Sequence, residues 1–297
     1  MAVTAQLVKE LREKTNAGML DCKKALEAND GNIEASITWL REKGIVKAAK
    51  KADRVAAEGL CNVAAEGNVA YIYELNSETD FVAKNEKFVT LLNTVGQALL
   101  SSTVTTTEEA LEYVYEGKKV EELLLEATAT IGEKITLRRV TRVEKTDSQV
   151  FGSYKHLGGK IATLTIVEGG NAEVAKDICM HVAAINPRYL SQEDISAEVV
   201  EQEREIIRNE ALNENAQSAK PKPEAIIEKM VVGRLNKYLQ EICLLNQAFV
   251  KLPDLTVAQY LKNNNATVVK YIRLGVGEGI EKKEVDFAAE VMAQVKA

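Results

Sequence analysis

Between Val69 and Leu99 the hydrophobic period of the chain changes within seven residues. Val69, Tyr71, Tyr73 and Leu75 recur every second position, whereas Phe88, Leu92, Val95 and Leu99 step by four, three and four. The first pattern predicts a half-buried strand and the second an amphipathic helix. A segment that passes from one to the other constrains the chain to a mixed fold, with helices laid on a sheet. The switch is made by Asn76-Ser77-Glu78-Thr79-Asp80-Phe81-Val82, which places a large apolar ring in a polar turn. Phe81 either packs beneath its own loop and staples the helix start or projects as a wedge for a partner.

The same two patterns recur elsewhere. A strand pair joined at Glu66-Gly67-Asn68 precedes the Phe81 loop; helices through residue 130 and the alternating strand Ile135–Val143 follow it. Further on, Gly152-Ser153-Tyr154 and Lys160–Val167 bracket a turn at His156-Leu157-Gly158-Gly159. A helix follows over Ala172–Ala184, and Thr267–Leu274 supplies a late strand. Both regions have the order hairpin, helix, closing strand, which predicts a duplicated α+β unit with antiparallel sheets, each covered on one face. The late strand of the second copy is delayed by an insertion. In it Val199, Val200, Ile206 and Ile207 repeat at seven, and Ile227, Val231, Leu235, Tyr238 and Ile242 resume beyond Lys220-Pro221-Lys222-Pro223. This pattern predicts an antiparallel helical hairpin with narrow seams, serving as a projecting arm or oligomerisation surface or else packed on its own domain.

Ahead of the core, three short helical stripes follow one another closely: Leu7 and Leu11; Met19, Cys22 and Leu26; Ile33, Ile37 and Leu40. Each is too short to stand alone, so they predict a compact three-helix module. The Ala-rich charged segment Lys47–Arg54 reads as a linker, helical in part. With 297 residues the chain is long enough for more than one core. The expected organisation is a three-helix module with linker at 1–54, a first core subdomain at 55–145 and a second at 146–275, with the hairpin inserted at about 188–245. A C-terminal helical module occupies 276–297.

Charge and composition exclude several function classes. The net charge of −6 argues against a surface built to neutralise nucleic-acid phosphates, so no direct nucleic-acid binding is predicted. The positive charge is concentrated at the front, where residues 1–54 carry 11 Lys+Arg against 8 Asp+Glu. Four scattered cysteines include no Cys-x-x-Cys pair, which fits a reducing cytoplasm and predicts neither zinc site nor redox dithiol. No apolar run spans a bilayer and the first residues lack a signal-peptide layout, so a cytoplasmic protein, mature as written, is expected. Only His156 and His181 are available as histidine bases, and no hydrolase, zinc-protease or phosphate-loop motif occurs. His181 on its helix reads as a packing residue; His156 in its glycine-rich turn reads as exposed. Gly275-Val276-Gly277-Glu278-Gly279-Ile280 follows a strand as a dinucleotide loop does, but Ile280 stands where the third glycine belongs. A binding protein without catalytic residues, cofactor or metal is the expectation.

Five segments carry a closer resemblance: Thr79-Asp80-Phe81-Val82-Ala83-Lys84, Gly18–Leu26, Ile131-Gly132-Glu133-Lys134-Ile135, Met180–Ala184 and Val276–Lys282. In this order, over nearly the whole length, they resemble the bacterial elongation factor Ts family. That resemblance implies a ubiquitin-associated-like N-terminal module, a two-subdomain α+β core, a coiled-coil hairpin for dimerisation and a short C-terminal helix. It implies nucleotide exchange on the GTPase elongation factor Tu, with Thr79, Asp80, Phe81 and Val82 entering near the bound magnesium. Arg12, Met19 and Leu20 are implied as grips on the GTPase domain, His156 as a contact to a further domain, and the helix around Asp286 and Phe287 as another. Leu20 stands where the family commonly has a second Met. The competing expectations are a ubiquitin-associated-like adaptor whose residues 1–54 suffice for binding, and an enzyme using the Gly275–Gly277 turn.

Overall fold

A computed structural model describes residues 3–15, 17–49, 51, 53–218 and 220–281; the segment with Asp286 and Phe287 lies outside them. The chain forms an α+β fold that divides into two compact units. The first comprises the described parts of Met1–Glu144, Leu157–Ile161 and Leu274–Ala297; the second comprises Lys145–His156 and Ala162–Arg273.

The first unit begins with α1 (Ala5–Thr15), α2 (Met19–Ala28) and α3 (Ile33–Ala49). Their shared centre is Leu11, Cys22, Ala25 and Leu26, with Leu7, Ile33, Ile37 and Leu40 packed around it. The buried Ser36 hydroxyl sits 2.6 Å from Asn32 O and 3.1 Å from Ala25 O, which ties α3 to α2. Met19 departs from the expected stripe. It lies in the first turn of α2 and is 61% exposed, while Cys22 and Leu26 point inward.

Next come β1 (Glu58–Glu66), β2 (Val69–Ser77), α4 (Asp80–Ala83), α5 (Glu86–Leu100), α6 (Thr107–Glu112) and a small ribbon of β3 (Val114–Tyr115) with β4 (Lys118–Lys119). The series ends with α7 (Val120–Ile131) and β5 (Thr136–Glu144). The sheet order is β1-β2-β5, antiparallel throughout. Phe88, Leu92, Val95 and Leu99 of α5 and Leu124 of α7 cover Tyr71, Tyr73 and Leu75. The α3 helix packs along α7, where Arg41 Nε lies 3.0 Å from Glu126.

Close approach of α5 to the sheet depends on Gly96. A Cβ there would press on the Tyr73 hydroxyl, whose O–H donates to Leu92 O at 2.8 Å and accepts from Asn62 at 2.9 Å. Overpacking of about 1–3 kcal/mol outweighs the roughly 1 kcal/mol that alanine contributes to a helix. Gly96→Ala is therefore expected to lower stability by up to about 2 kcal/mol, read as a reduced urea midpoint.

Strand β2 is not half-buried, contrary to its alternation. Residues of both its faces are covered, and Ala70, Ile72 and Glu74 are as inaccessible as Tyr71, Tyr73 and Leu75. Glu74 is held by a dense set of donors. Its Oε2 accepts from Arg138 (3.0 Å) and Arg139, and its Oε1 accepts from Asn76 Nδ2 (2.9 Å) and from the backbone N–H of Gly277 (2.7 Å). Adjacent strand residues ordinarily face opposite ways. A bulge solves this: Glu74 pairs with Arg139 and Leu75 with Leu137, so Arg138 is the extra residue and both guanidinium groups reach one carboxylate. The two arginines also donate to Gly275 O and Glu278 O, and Glu278 accepts from Gly275 N–H. The glycine-rich turn at 275–280 thus has the N–H groups of Gly275 and Gly277 spent on carboxylates of the chain itself and those of Val276, Glu278 and Ile280 on backbone carbonyls, which removes the support for a nucleotide loop there.

In the second unit β6 (Gln149–His156), β7 (Ile161–Gly169) and β10 (Ala266–Gly275) form a sheet in the order β10-β7-β6. Again the second strand of the hairpin is central and the closing strand arrives after the helices. Helix α8 (Ala172–Ile185) covers this sheet with Val174, Ala175, Ile178 and Val182, capped by Asn171. His181 is buried, with Nε2 2.8 Å from Gln247 Oε1 and Nδ1 accepting from Val250 N–H. Burial lowers its pKa, so it is a neutral, satisfied packing residue. The insertion consists of α9 (Ala197–Ala216) and α10 (Glu224–Ile242). It is followed by β8 (Ala248–Phe249), β9 (Leu252–Thr256) and α11 (Val257–Asn263), three short elements that periodicity did not predict. The hairpin seam is Ile207 and Ala211 against Ile227, Val231 and Leu235. Ile206, half of the expected repeat, faces solvent, as do Leu212, Ile226 and Val232.

Candidate functional site

Strand β2 ends at Ser77 and the chain turns immediately into α4. Thr79 is the N-cap, in extended conformation, and its hydroxyl accepts from Val82 N–H at 3.4 Å. Asp80 follows in the first turn, where a negative charge suits the helix start. The four-residue helix stops because Asn85 caps the next one. Successive helical residues point about 100° apart, so Val82 and Ala83 turn onto the core while Phe81 turns away. Phe81 is 80% exposed, which rules out packing beneath its loop.

An exposed ring of this size works as a wedge only if its base is rigid, and the base here is clamped. Glu133 accepts from both the backbone N–H (2.9 Å) and the hydroxyl (2.7 Å) of Thr79. Glu78 accepts from the N–H of Lys134 at 2.6 Å and from Arg54 at 3.3 Å. Ser77 donates its hydroxyl to Thr79 O at 2.9 Å. The clamp reaches the loop because α7 ends on Gly132 in the left-handed conformation (φ 95°), which turns Glu133 and Lys134 back toward Glu78 and Thr79. Sequence reasoning marked the Ile131–Ile135 segment but assigned it no role. The pairing spans 54 residues of chain, and no local pattern signals it.

Around the ring the charges are arranged in a short strip. Lys84 lies 2.7 Å from Asp80 Oδ2 and 6.0 Å from the centre of the Phe81 ring. The hydrogen bond from Lys84, with the further positive charge of Lys160, holds the Asp80 carboxyl below the usual carboxylate range. Asp80 is therefore ionised at neutral pH, and its pairing with Lys84 is lost only as the pH falls through that depressed value. Losing the clamp has a larger consequence. Glu133→Ala deprives Thr79 of two charge-assisted acceptors, each contributing about 1.5–3 kcal/mol when well shielded and less at this half-buried site. We expect faster amide exchange at Thr79–Val82 with little change in global unfolding, measured by hydrogen–deuterium exchange.

The remaining expected contacts are placed as follows. Arg12 on α1 is exposed, and Met19 and Leu20 stand at the start of α2 with 61% and 73% of their surface in solvent. Together they expose two large apolar side chains on a basic module. In the second unit His156 closes β6, half-buried rather than fully exposed, its Nδ1 3.2 Å from the Tyr154 hydroxyl. The four cysteines are buried and none is in a disulfide, and burial raises the Cys179 thiol to about 11. Among the described residues no cluster of three or more His, Cys, Asp or Glu could hold a metal ion. None of their helices is long and apolar enough to cross a membrane.

Residues 78–278, from the loop clamp to the glycine-rich turn, match the family model described as elongation factor TS. The chain is also 58% identical over 296 residues to elongation factor Ts of Acholeplasma laidlawii (strain PG-8A), covering 99% of both chains. The match to the model over most of its length, and that to the relative over nearly all of it, agree with the clamped loop and paired sheets in this conclusion: the chain belongs to the elongation factor Ts family.

Proposed function

We propose that this chain is the guanine-nucleotide exchange factor for elongation factor Tu, and that it releases GDP by inserting Thr79–Val82 near the magnesium bound to the GTPase. The observation that carries this reading is the pairing of an 80% exposed phenylalanine with a base fixed by Glu133 and Glu78. In this mechanism Phe81 separates helices of the partner, Asp80 contacts polar groups beside them, and magnesium and phosphate coordination is spoiled. Arg12, Met19 and Leu20 grip the GTPase domain, and His156 contacts a further domain. No group on this chain needs to make or break a covalent bond, and the work is done in the cytoplasm during translation elongation.

The energetics are those of coupling. A factor that weakens nucleotide binding is itself bound more weakly, by the same ratio, when nucleotide is present. About 4 kcal/mol of coupling corresponds to roughly a thousandfold change. Burying one Phe contributes about 1.5–3 kcal/mol, so the other grips must hold the complex while the site is distorted. The test is reciprocity: the affinity of this chain for elongation factor Tu, measured with and without saturating GDP and magnesium, should differ by the factor by which the chain weakens GDP. Equal affinities in the two conditions contradict exchange.

Self-association through the hairpin is part of the same proposal. Ile206, Leu212, Ile226 and Val232 leave apolar surface on α9 and α10 that a second hairpin can cover. Light scattering should give a dimer mass for the full chain and a monomer mass after deletion of residues 190–245. A full chain that is already monomeric overturns the dimer.

A further inference from the structure

Among the described residues Leu157 is the one large apolar side chain that is both strongly exposed and held in a left-handed backbone. It is 71% exposed and adopts a left-handed backbone (φ 49°), a region that glycine, asparagine and aspartate visit routinely and leucine does not. The two following residues are glycines with φ 69° and 110°, so the turn is built on left-handed conformations and its first position is filled by a residue type ill suited to it. With most of its surface in solvent, Leu157 returns little packing for that strain. An observed outlier of this kind points toward a role outside the fold.

Its position says which role. The turn lies on β1, because a Cβ at Gly159 would stand 3.1 Å from Cys61 O. Lys160 Nζ is 2.6 Å from Glu58 Oε2, Glu58 pairs across the sheet with Ser77, and the Ser77 hydroxyl donates to Thr79 O. Three links therefore join the Leu157 turn to the base of the Phe81 loop at one end of the same sheet. The positive charge of Lys160 also helps hold the Asp80 carboxyl ionised. Two exposed apolar side chains, Leu157 and Phe81, thus stand at the two ends of a run of contacts that passes through Lys160, Glu58 and Ser77. Apolar anchors separated by polar groups are the pattern of a protein-binding surface.

We propose that Leu157 is a further apolar anchor for the GTPase, beside Met19 and Leu20, seated in a recess of the partner separate from the one that takes Phe81. This rests on the exchange function proposed above and adds a division of labour: Leu157 contributes to holding the complex, and Phe81 to distorting the nucleotide site.

The test uses the full chain and nucleotide-free elongation factor Tu. Leu157→Asn keeps a residue that tolerates the left-handed backbone and removes the apolar anchor; Leu157→Gly removes both side chain and strain; Leu157→Met keeps an apolar side chain. We expect both Leu157→Asn and Leu157→Gly to unfold at the parent temperature or above and to bind about tenfold more weakly. The concentration giving half-maximal GDP release should rise by the same factor while the saturated rate stays at the parent value. Leu157→Met should bind within about twofold of the parent. If Leu157→Asn and Leu157→Gly both bind within about twofold of a parent chain that does accelerate release, the anchor is overturned and the exchange function stands. A parent chain that does not accelerate release overturns both.

Discussion

Phe81→Ala lowers the saturated rate of GDP release from elongation factor Tu by about 10- to 100-fold and leaves the unfolding of the chain nearly unchanged. The magnitude follows from the roughly 1.5–3 kcal/mol available from burying one phenylalanine in the partner. The silence in stability follows from its exposure: with 80% of its surface in solvent the ring adds almost nothing to the core. A substitution at such a place shifts stability by no more than about 0.5 kcal/mol. Val82 and Ala83, which anchor α4 on the core, remain in place, and so does the hold of Glu133 on Thr79. Stopped-flow fluorescence of a labelled GDP, with a parallel thermal melt, checks both halves. A loss of exchange accompanied by a large drop in melting temperature contradicts the wedge, since it assigns Phe81 to the core.

Glu74→Ala carries the opposite signature, a large loss of stability from a residue that contacts no partner. Its carboxylate is fully buried and accepts from Arg138, Arg139, Asn76 and Gly277. Removing it deprives two guanidinium groups of the carboxylate they share and strips the Gly277 N–H of its acceptor. Breaking a buried ion pair by deleting one partner costs about 3–5 kcal/mol. The lower end applies here, because each arginine side chain keeps a little over a quarter of its surface exposed (29% and 28%). Urea unfolding should show a loss of about 3 kcal/mol, and the substitution should also free the turn at 275–279, which the two arginines hold by its carbonyls. A loss below about 1 kcal/mol would falsify the view that this carboxylate is the joint between the first sheet and the turn.

These residues also show where the sequence was legible and where it was not. The change of period between Val69 and Leu99 located β2, the turn and α5, because alternation and three-to-four spacing are direct consequences of strand and helix geometry. The repeated order of hairpin, helix and closing strand was readable for the same reason. Phe81 stood out because a large apolar ring in a polar turn conflicts with its surroundings, and such conflicts concentrate at functional sites.

Glu74 was hidden because a charged residue in an alternating strand looks like the solvent face. Only the third dimension shows that β2 is central and that a bulge at Arg138 brings two arginines to one carboxylate. The clamp of Glu133 on Thr79 was hidden because it closes 54 residues of chain. Met19 was misplaced by spacing alone: three residues before Cys22 it shares the helix face, yet at the first turn of α2 it passes beyond the edge of the small core. Likewise Ile206 and Ile207 satisfy the same heptad, and only the packing of α10 decides that Ile207 is inside. Elements as short as β3 and β8 offer no period to read.

The most direct measurement is the rate of labelled GDP release from elongation factor Tu as this chain is titrated in. Exchange by the Thr79–Val82 loop predicts a rate that rises with concentration to a plateau far above the spontaneous rate, and a plateau that collapses with Phe81→Ala. A release rate that stays at its spontaneous value at every concentration of the folded chain contradicts it.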